Sequence, residues 1–176
     1  MSTDFVARAA ELDAADPLRS FRDEFVVADE NVCYLDGNSL GRLPKATVAA
    51  VGQLLDEWGS ELVMSWQHWV DEAQRTGDLL GRTVLGAAAG QVLACDTTSM
   101  NFYQLCAAAV RARPGRRRII TDAANFPTDR YILEGIARDH DMELVLLDNE
   151  RADGSHERIT PEMLKPWLSD EVALVS

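Results

Sequence analysis

Positive charge is in short supply. The chain has 17 Lys plus Arg against 29 Asp plus Glu, for a formal net charge of -12. That balance argues against a nucleic-acid partner, whose readers show a basic footprint. The one basic cluster, Arg111 to Arg118, reads as a helix C-terminus followed by a turn, where cations favour the helix dipole. No run of about 18 apolar residues occurs, so no membrane-spanning helix is expected. The N-terminus, MSTDFVARAAELDAAD, is acidic and amphipathic, unlike a signal peptide. Cysteine is sparse: Cys33, Cys95 and Cys106 lack metal-type spacing and read as reduced thiols of a cytoplasmic protein. The three histidines, His68, His140 and His156, do not cluster at ligand spacing, so no metal site is expected. The glycine patterns of a dinucleotide site or a P-loop are missing, which argues against NAD or ATP. Internal repeats and low-complexity linkers are missing too.

What remains is an ordinary globular composition, large enough for a real core. The first thirty residues pattern as two short helices, with Thr3 placed to cap the first and Pro17 in the first turn of the second. Val32 to Leu35 reads as a short strand stopped by Asp36-Gly37-Asn38. Pro44 opens a helix in which Val48, Val51, Leu54, Leu55 and Trp58 recur at helical spacing. Residues 69–85 continue the helical pattern.

From residue 91 the texture changes. QVLAC reads as a strand, Asn101 to Arg113 as a helix and RRRIITD as a strand. Thr128 to Asp139 is a helix, MELVLLD a strand, Thr160 to Leu168 a helix and VALVS a strand. Thr160-Pro161-Glu162 supplies a cap, a first-turn proline and an acid. Strands alternating with helices of this length imply βαβ units, and those imply an α/β fold: a mostly parallel sheet with helices on both faces. VALVS has the composition of a buried strand, and a chain stopping there reads either as truncated, cut from a longer protein, or as ending in an edge strand that happens to be C-terminal.

In such sheets ligands bind outside the C-terminal ends of the strands. Asp96-Thr97-Thr98-Ser99 occupies one such position, at a helix N-terminus suited to phosphate. Taken alone, hydroxyls at that place are more often plain N-caps. NFPTDRY, residues 125–131, occupies the next. There Phe126 reads either as a platform for a planar phosphorylated ligand, with polar contacts from Thr128 and Asp129, or as a core residue with Asp129 capping the helix. The loop from Tyr34 to Pro44 sets Asn38 and Ser39 between two glycines, in a form suited to holding a carboxylate. Ser65-Trp66-Gln67-His68-Trp69 could wall an aromatic pocket or pack at an interface.

Taken together, YLDGNSLGRLP, the SW…W segment, DTTSMN and NFPTDRY resemble the kynureninases in order and spacing, from about residue 30 onward. These are pyridoxal-phosphate enzymes of the aspartate-aminotransferase-like fold (fold type I). The resemblance implies that Thr98 and Ser99 hold the phosphate of pyridoxal 5′-phosphate. It implies that Phe126 stacks on the pyridine ring and that Phe126, Pro127, Thr128 and Asp129 line the cofactor. Ser39 and Asn38 would face the amino-acid end of the substrate. Trp66, His68 and Trp69 fall in the region lining its aryl end. The implied reaction is hydrolysis of L-kynurenine, or 3-hydroxykynurenine, to anthranilate, or 3-hydroxyanthranilate, and L-alanine, in a cytoplasmic homodimer.

The chain departs from the family in its lysines. The family forms a Schiff base through a lysine far downstream, and this chain has only Lys45 and Lys165, neither in a matching context. The expectation is therefore part of a large domain, with no catalytic residue and no activity alone. The implied organisation is an N-terminal helical segment with the substrate loop over 1–44, a helical segment over 45–90, and an incomplete cofactor-binding domain over 91–176. Two alternatives stay open: another fold type I enzyme, such as a cysteine desulfurase or aminotransferase, and a non-catalytic α/β domain that binds a ligand or a partner chain.

Overall fold

The structure is a computed structural model that describes residues 4–151, 153–155 and 157–176. Thr3, expected to cap the first helix, and His156 lie outside the described residues. The chain divides into two compact units, Met1–Glu72 and Ala73–Ser176, and each is described by itself.

The first unit is helical. Helix α1 (Phe5–Ala15) is capped by Asp4, whose carboxylate accepts from the Val6 and Ala7 N–H groups. The second expected helix is a 3-10 segment, Arg19–Glu24. Val32 to Leu35 does not form a strand. Pairing in this region is confined to an antiparallel bridge between Phe25 and Pro44, with Val26 N–H donating to the Leu43 carbonyl at 2.8 Å. An apolar tetrapeptide with no neighbouring strand has nothing to exchange hydrogen bonds with. Helix α2 (Lys45–Glu61) forms as the periodicity predicts. A 3-10 turn (Leu62–Ser65) and the one-turn helix α3 (Trp66–Trp69) follow it.

The second unit contains the sheet. Helix α4 (Glu72–Leu80) runs into a π turn, Gly81–Leu85, and ends at Gly86 with φ 67°. Residues 91–95, expected as a strand, do not pair into the sheet. They lie along α4 instead: Gln74 Nε2 donates to the Val92 carbonyl at 3.1 Å and Ala94 N–H donates to the Ala73 carbonyl at 3.2 Å. Gly77 makes this approach possible, because a Cβ there would sit 2.1 Å from the Val92 oxygen.

Helix α5 (Thr98–Arg111), strand β1 (Arg118–Asp122), helix α6 (Pro127–Asp139), strand β2 (Glu143–Leu147), helix α7 (Pro161–Leu164) and strand β3 (Val172–Val175) complete the chain. A 3-10 turn, Lys165–Trp167, replaces the rest of the helix expected to reach Leu168. Pro166 has no N–H to continue an α-helix. The three strands are parallel in the order β2-β1-β3, as the alternation of elements predicts.

Side chains of β1 alternate between the two faces. Ile119, fully buried, packs with Cys106 and Val110 of α5 and Leu133, Ile136 and Ala137 of α6. Ile120, also fully buried, packs with Val145, Leu147 and Val172, and with Ile159 and Leu164 on the α7 side. Val172 and Leu174 serve opposite faces although they are two apart. A register shift pairs Arg118 with Val172 but Ile119 with Leu174, so Ala173 is the extra residue of a bulge. Two arginines of the basic cluster brace this framework. Arg116 Nη1 donates to the Val172 carbonyl at 2.7 Å, and Arg118 reaches Glu143 at 2.8 Å and Glu171 at 3.4 Å. No helix among the described residues is long and apolar enough to cross a membrane.

Candidate functional site

Both helix N-termini that were singled out in the sequence lie at one rim of the sheet. Helix α6 leaves the C-terminal end of β1, and α5 enters its N-terminal end. Both therefore run against the strands, and both N-termini sit at the strands' C-terminal side. The two helices pack directly on each other through one core cluster. Cys106 of α5 lies within the field of Asp129 of α6; burial pushes its thiol pKa up, and the Asp129 charge adds to that.

The first turn of α5 leaves hydroxyls to spare. Thr97 is the N-cap, and its Oγ1 accepts from the Met100 N–H at 3.3 Å. Thr98 and Ser99 are therefore not caps but the first two helical residues, where backbone N–H groups have no partner within the helix. Thr98 is exposed and Ser99 half-buried. The turn before them is tight: Asp96 has φ 46°, and Asn101 Nδ2 donates to the Cys95 carbonyl at 2.8 Å. Free donors, two hydroxyls and the positive end of a fourteen-residue helix form a natural anion seat.

Phe126 is the N-cap residue of α6, with Pro127 as the first helical residue. Its ring is 67% exposed, so it is not part of the core. Asp129 does not cap the helix with its side chain; it is the acid of the first turn. Thr128 and Asp129 are half-buried, and Pro127 is exposed. A large exposed aromatic on the same side of the sheet as an anion seat has the chemistry to stack a flat ring whose phosphate occupies that seat.

Two further residues of the NFPTDRY segment, Asn125 and Arg130, hold the loop behind Phe126. Asn125 bonds to both Thr121 and the Phe126 N–H, and Arg130 Nη1 donates to the Ala123 carbonyl at 2.9 Å. Arg130 Nε is buried with no hydrogen-bond partner. The signal for Asn125 was its place one residue before an N-cap that cannot cap itself.

In the other unit, the Asp36–Leu40 loop is tied to itself. Ser39 Oγ donates to Asp36 Oδ1 at 2.8 Å. The Tyr34 hydroxyl lies against the carbonyls of Asp36, at 3.0 Å, and Leu40, and the Arg42 guanidinium sits 5.3 Å over the Tyr34 ring. Asn38 is exposed at the tip. His68 and Trp69 come together on one carboxylate that the sequence reading did not name, Glu57 of α2. Trp69 Nε1 donates to Glu57 Oε2 at 3.3 Å, and His68 Nε2 lies 3.6 Å from the same atom. The turn is fixed by Ser65, fully buried, whose Oγ donates to the Glu57 carbonyl at 3.4 Å. Trp66 stays 63% exposed. Glu57 sits eleven residues from His68 on a different helix, a separation that no local spacing rule registers. No group of three or more His, Cys, Asp or Glu among the described residues could hold a metal ion.

No family model matches the chain. Individual proteins do. The kynureninase of Pseudomonas fluorescens is 45% identical over 133 residues, covering 72% of this chain and 32% of that protein. The kynureninase of Burkholderia pseudomallei (strain 1106a) is 42% identical over 175 residues, covering 94% of this chain and 39% of that protein. That of Burkholderia mallei (strain SAVP1) is 41% identical over 175 residues, with the same coverage. The chain thus spans 32–39% of the length of these curated relatives.

Proposed function

The chain is related to the kynureninases over the part of their length that it spans, and on that premise we propose that it carries one side of a pyridoxal 5′-phosphate site and serves the hydrolysis of L-kynurenine. The products are anthranilate and L-alanine; 3-hydroxykynurenine would give 3-hydroxyanthranilate. The observation that carries the proposal is the pairing at one sheet rim of an uncapped-hydroxyl helix start, Thr98 and Ser99, with the exposed Phe126 ring. These residues fit the cofactor. Thr98 and Ser99 would hold its phosphate, Phe126 would stack on its ring, and Pro127, Thr128 and Asp129 would line it. When bound, pyridoxal phosphate supplies an electron sink for bond changes at an amino acid's α-carbon. Ser39 and Asn38 would orient the substrate's amino-acid end. Trp66, Trp69 and His68 would line its aryl end, with Glu57 holding the His68 and Trp69 rings in place. A cytoplasmic homodimer is part of the same proposal.

Neither lysine supports a Schiff-base role. Lys45 is the first residue of α2. Lys165 follows α7, whose Leu164 packs on the face of the sheet away from α5 and α6. The 176 residues alone are therefore proposed to be inactive.

Two assays with L-kynurenine and pyridoxal phosphate, read by anthranilate fluorescence, test the proposal. Protein isolated from its native cells should release anthranilate at enzymatic rates; failure to do so refutes the proposed reaction. The 176-residue chain should release none above pyridoxal phosphate alone, and turnover by it would refute the assignment of the lysines.

A further inference from the structure

Phe126 occupies an N-cap position without any side-chain group that can cap. N-caps are normally Ser, Thr, Asp or Asn, which fix the backbone through their own oxygen. The Phe126 ring is also largely exposed, so packing does little to orient it. Its direction is set by its backbone, and the backbone must be held by something else.

Asn125 does this. Its Oδ1 accepts from the Phe126 N–H at 2.7 Å, and its Nδ2 donates to Thr121 Oγ1 at 2.9 Å. A backbone N–H can only donate, so the amide oxygen must face Phe126 and the amide nitrogen must face Thr121. Thr121 is 1% exposed, within β1, and so anchors the clip in the sheet. The rest of the loop is fixed as well. Asn125 N–H donates to the Asp122 carbonyl at 3.3 Å, Ala123 N–H to the Leu147 carbonyl at 2.8 Å, and Arg130 Nη1 to the Ala123 carbonyl at 2.9 Å.

The geometry points to Asn125 as the positioning residue for Phe126: its amide clips the Phe126 N–H to Thr121 and so fixes the direction in which the ring leaves the backbone. The inference rests on the reading of Phe126 as a stacking platform. Removing the clip leaves the phosphate seat on α5 intact and costs the ring its preorganisation.

The probes are pyridoxine 5′-phosphate, which keeps ring and phosphate but has no aldehyde to react with lysine, and inorganic phosphate. Binding of each to the 176-residue chain is measured by equilibrium dialysis. Asn125→Leu and Thr121→Val should weaken pyridoxine phosphate about fivefold or more and leave phosphate within about twofold. Thr121→Ser, which keeps the hydroxyl, should restore the affinity. Hydrogen exchange at the Phe126 amide reads the clip without a ligand: it should be slow in wild type and Thr121→Ser, and about tenfold faster in Asn125→Leu. Unchanged exchange overturns the clip. Faster exchange with unchanged ring affinity overturns the positioning role, as does equal weakening of both probes. A wild-type chain that binds neither probe overturns the cofactor reading on which the role rests, and an exchange difference that persists there separates that failure from failure of the clip.

Discussion

Replacing Phe126 by Ala should separate stability from binding. Full burial of a phenylalanine side chain contributes roughly 1.5–3 kcal/mol. The residue is 67% exposed, so only about a third of that is at stake, and Phe126→Ala should cost about 0.5–1 kcal/mol of folding stability. Leu133, fully buried in the core between α5 and α6, provides the contrast: Leu133→Ala should cost about 2–5 kcal/mol. For binding the order reverses. Ring stacking contributes about 0.5–1.5 kcal/mol beyond area burial, and the buried area is lost as well, so Phe126→Ala should weaken pyridoxine 5′-phosphate by about tenfold or more. The assays are urea unfolding of each variant, with the slope compared to check that the unfolded states match, and dialysis against pyridoxine phosphate. A stability loss for Phe126→Ala as large as that for Leu133→Ala would mean the ring is packed and would refute the reasoning. Unchanged affinity would refute the stacking role.

Gly77→Ala should be among the most damaging small substitutions. The new methyl would meet the Val92 carbonyl at 2.1 Å, so residues 91–95 must move off α4 at a cost of about 1–3 kcal/mol, measurable by thermal unfolding. Asp78 should shape the acid limb of stability. The Gly90 N–H, first, and the Gln74 amide hold its carboxyl below the ordinary value of 3.8. A depressed folded pKa gives stabilisation that is present above 3.8 and lost as pH falls through the lower folded value. Asp78→Asn should flatten that limb of the unfolding midpoint against pH, and an unchanged acid limb would refute the assignment.

Much of the second unit was legible from local pattern. RRRIITD and MELVLLD are short apolar runs bounded by turns, and they became β1 and β2. Thr160 and Pro161 marked a helix start, and Thr160 does cap α7. The misses share a cause. QVLAC and Val32 to Leu35 have strand composition, but a strand exists only where another offers its edge. Val92 met the bare face of Gly77, with its carbonyl engaged by Gln74, and the residues after Asn31 met no partner strand.

The sequence by itself determined the alternation of elements, the parallel sheet and the residues at its rim, because hydrophobic period and cap chemistry are local properties. Only the tertiary structure decided that Phe126 stays open and that Thr97, not Thr98 or Ser99, caps α5. It alone joined Glu57 to His68 and Trp69, and Asn125 to Thr121. Exposure and hydrogen-bond pairing depend on which surfaces meet, and that is fixed by packing between elements rather than by any residue's neighbours in the chain.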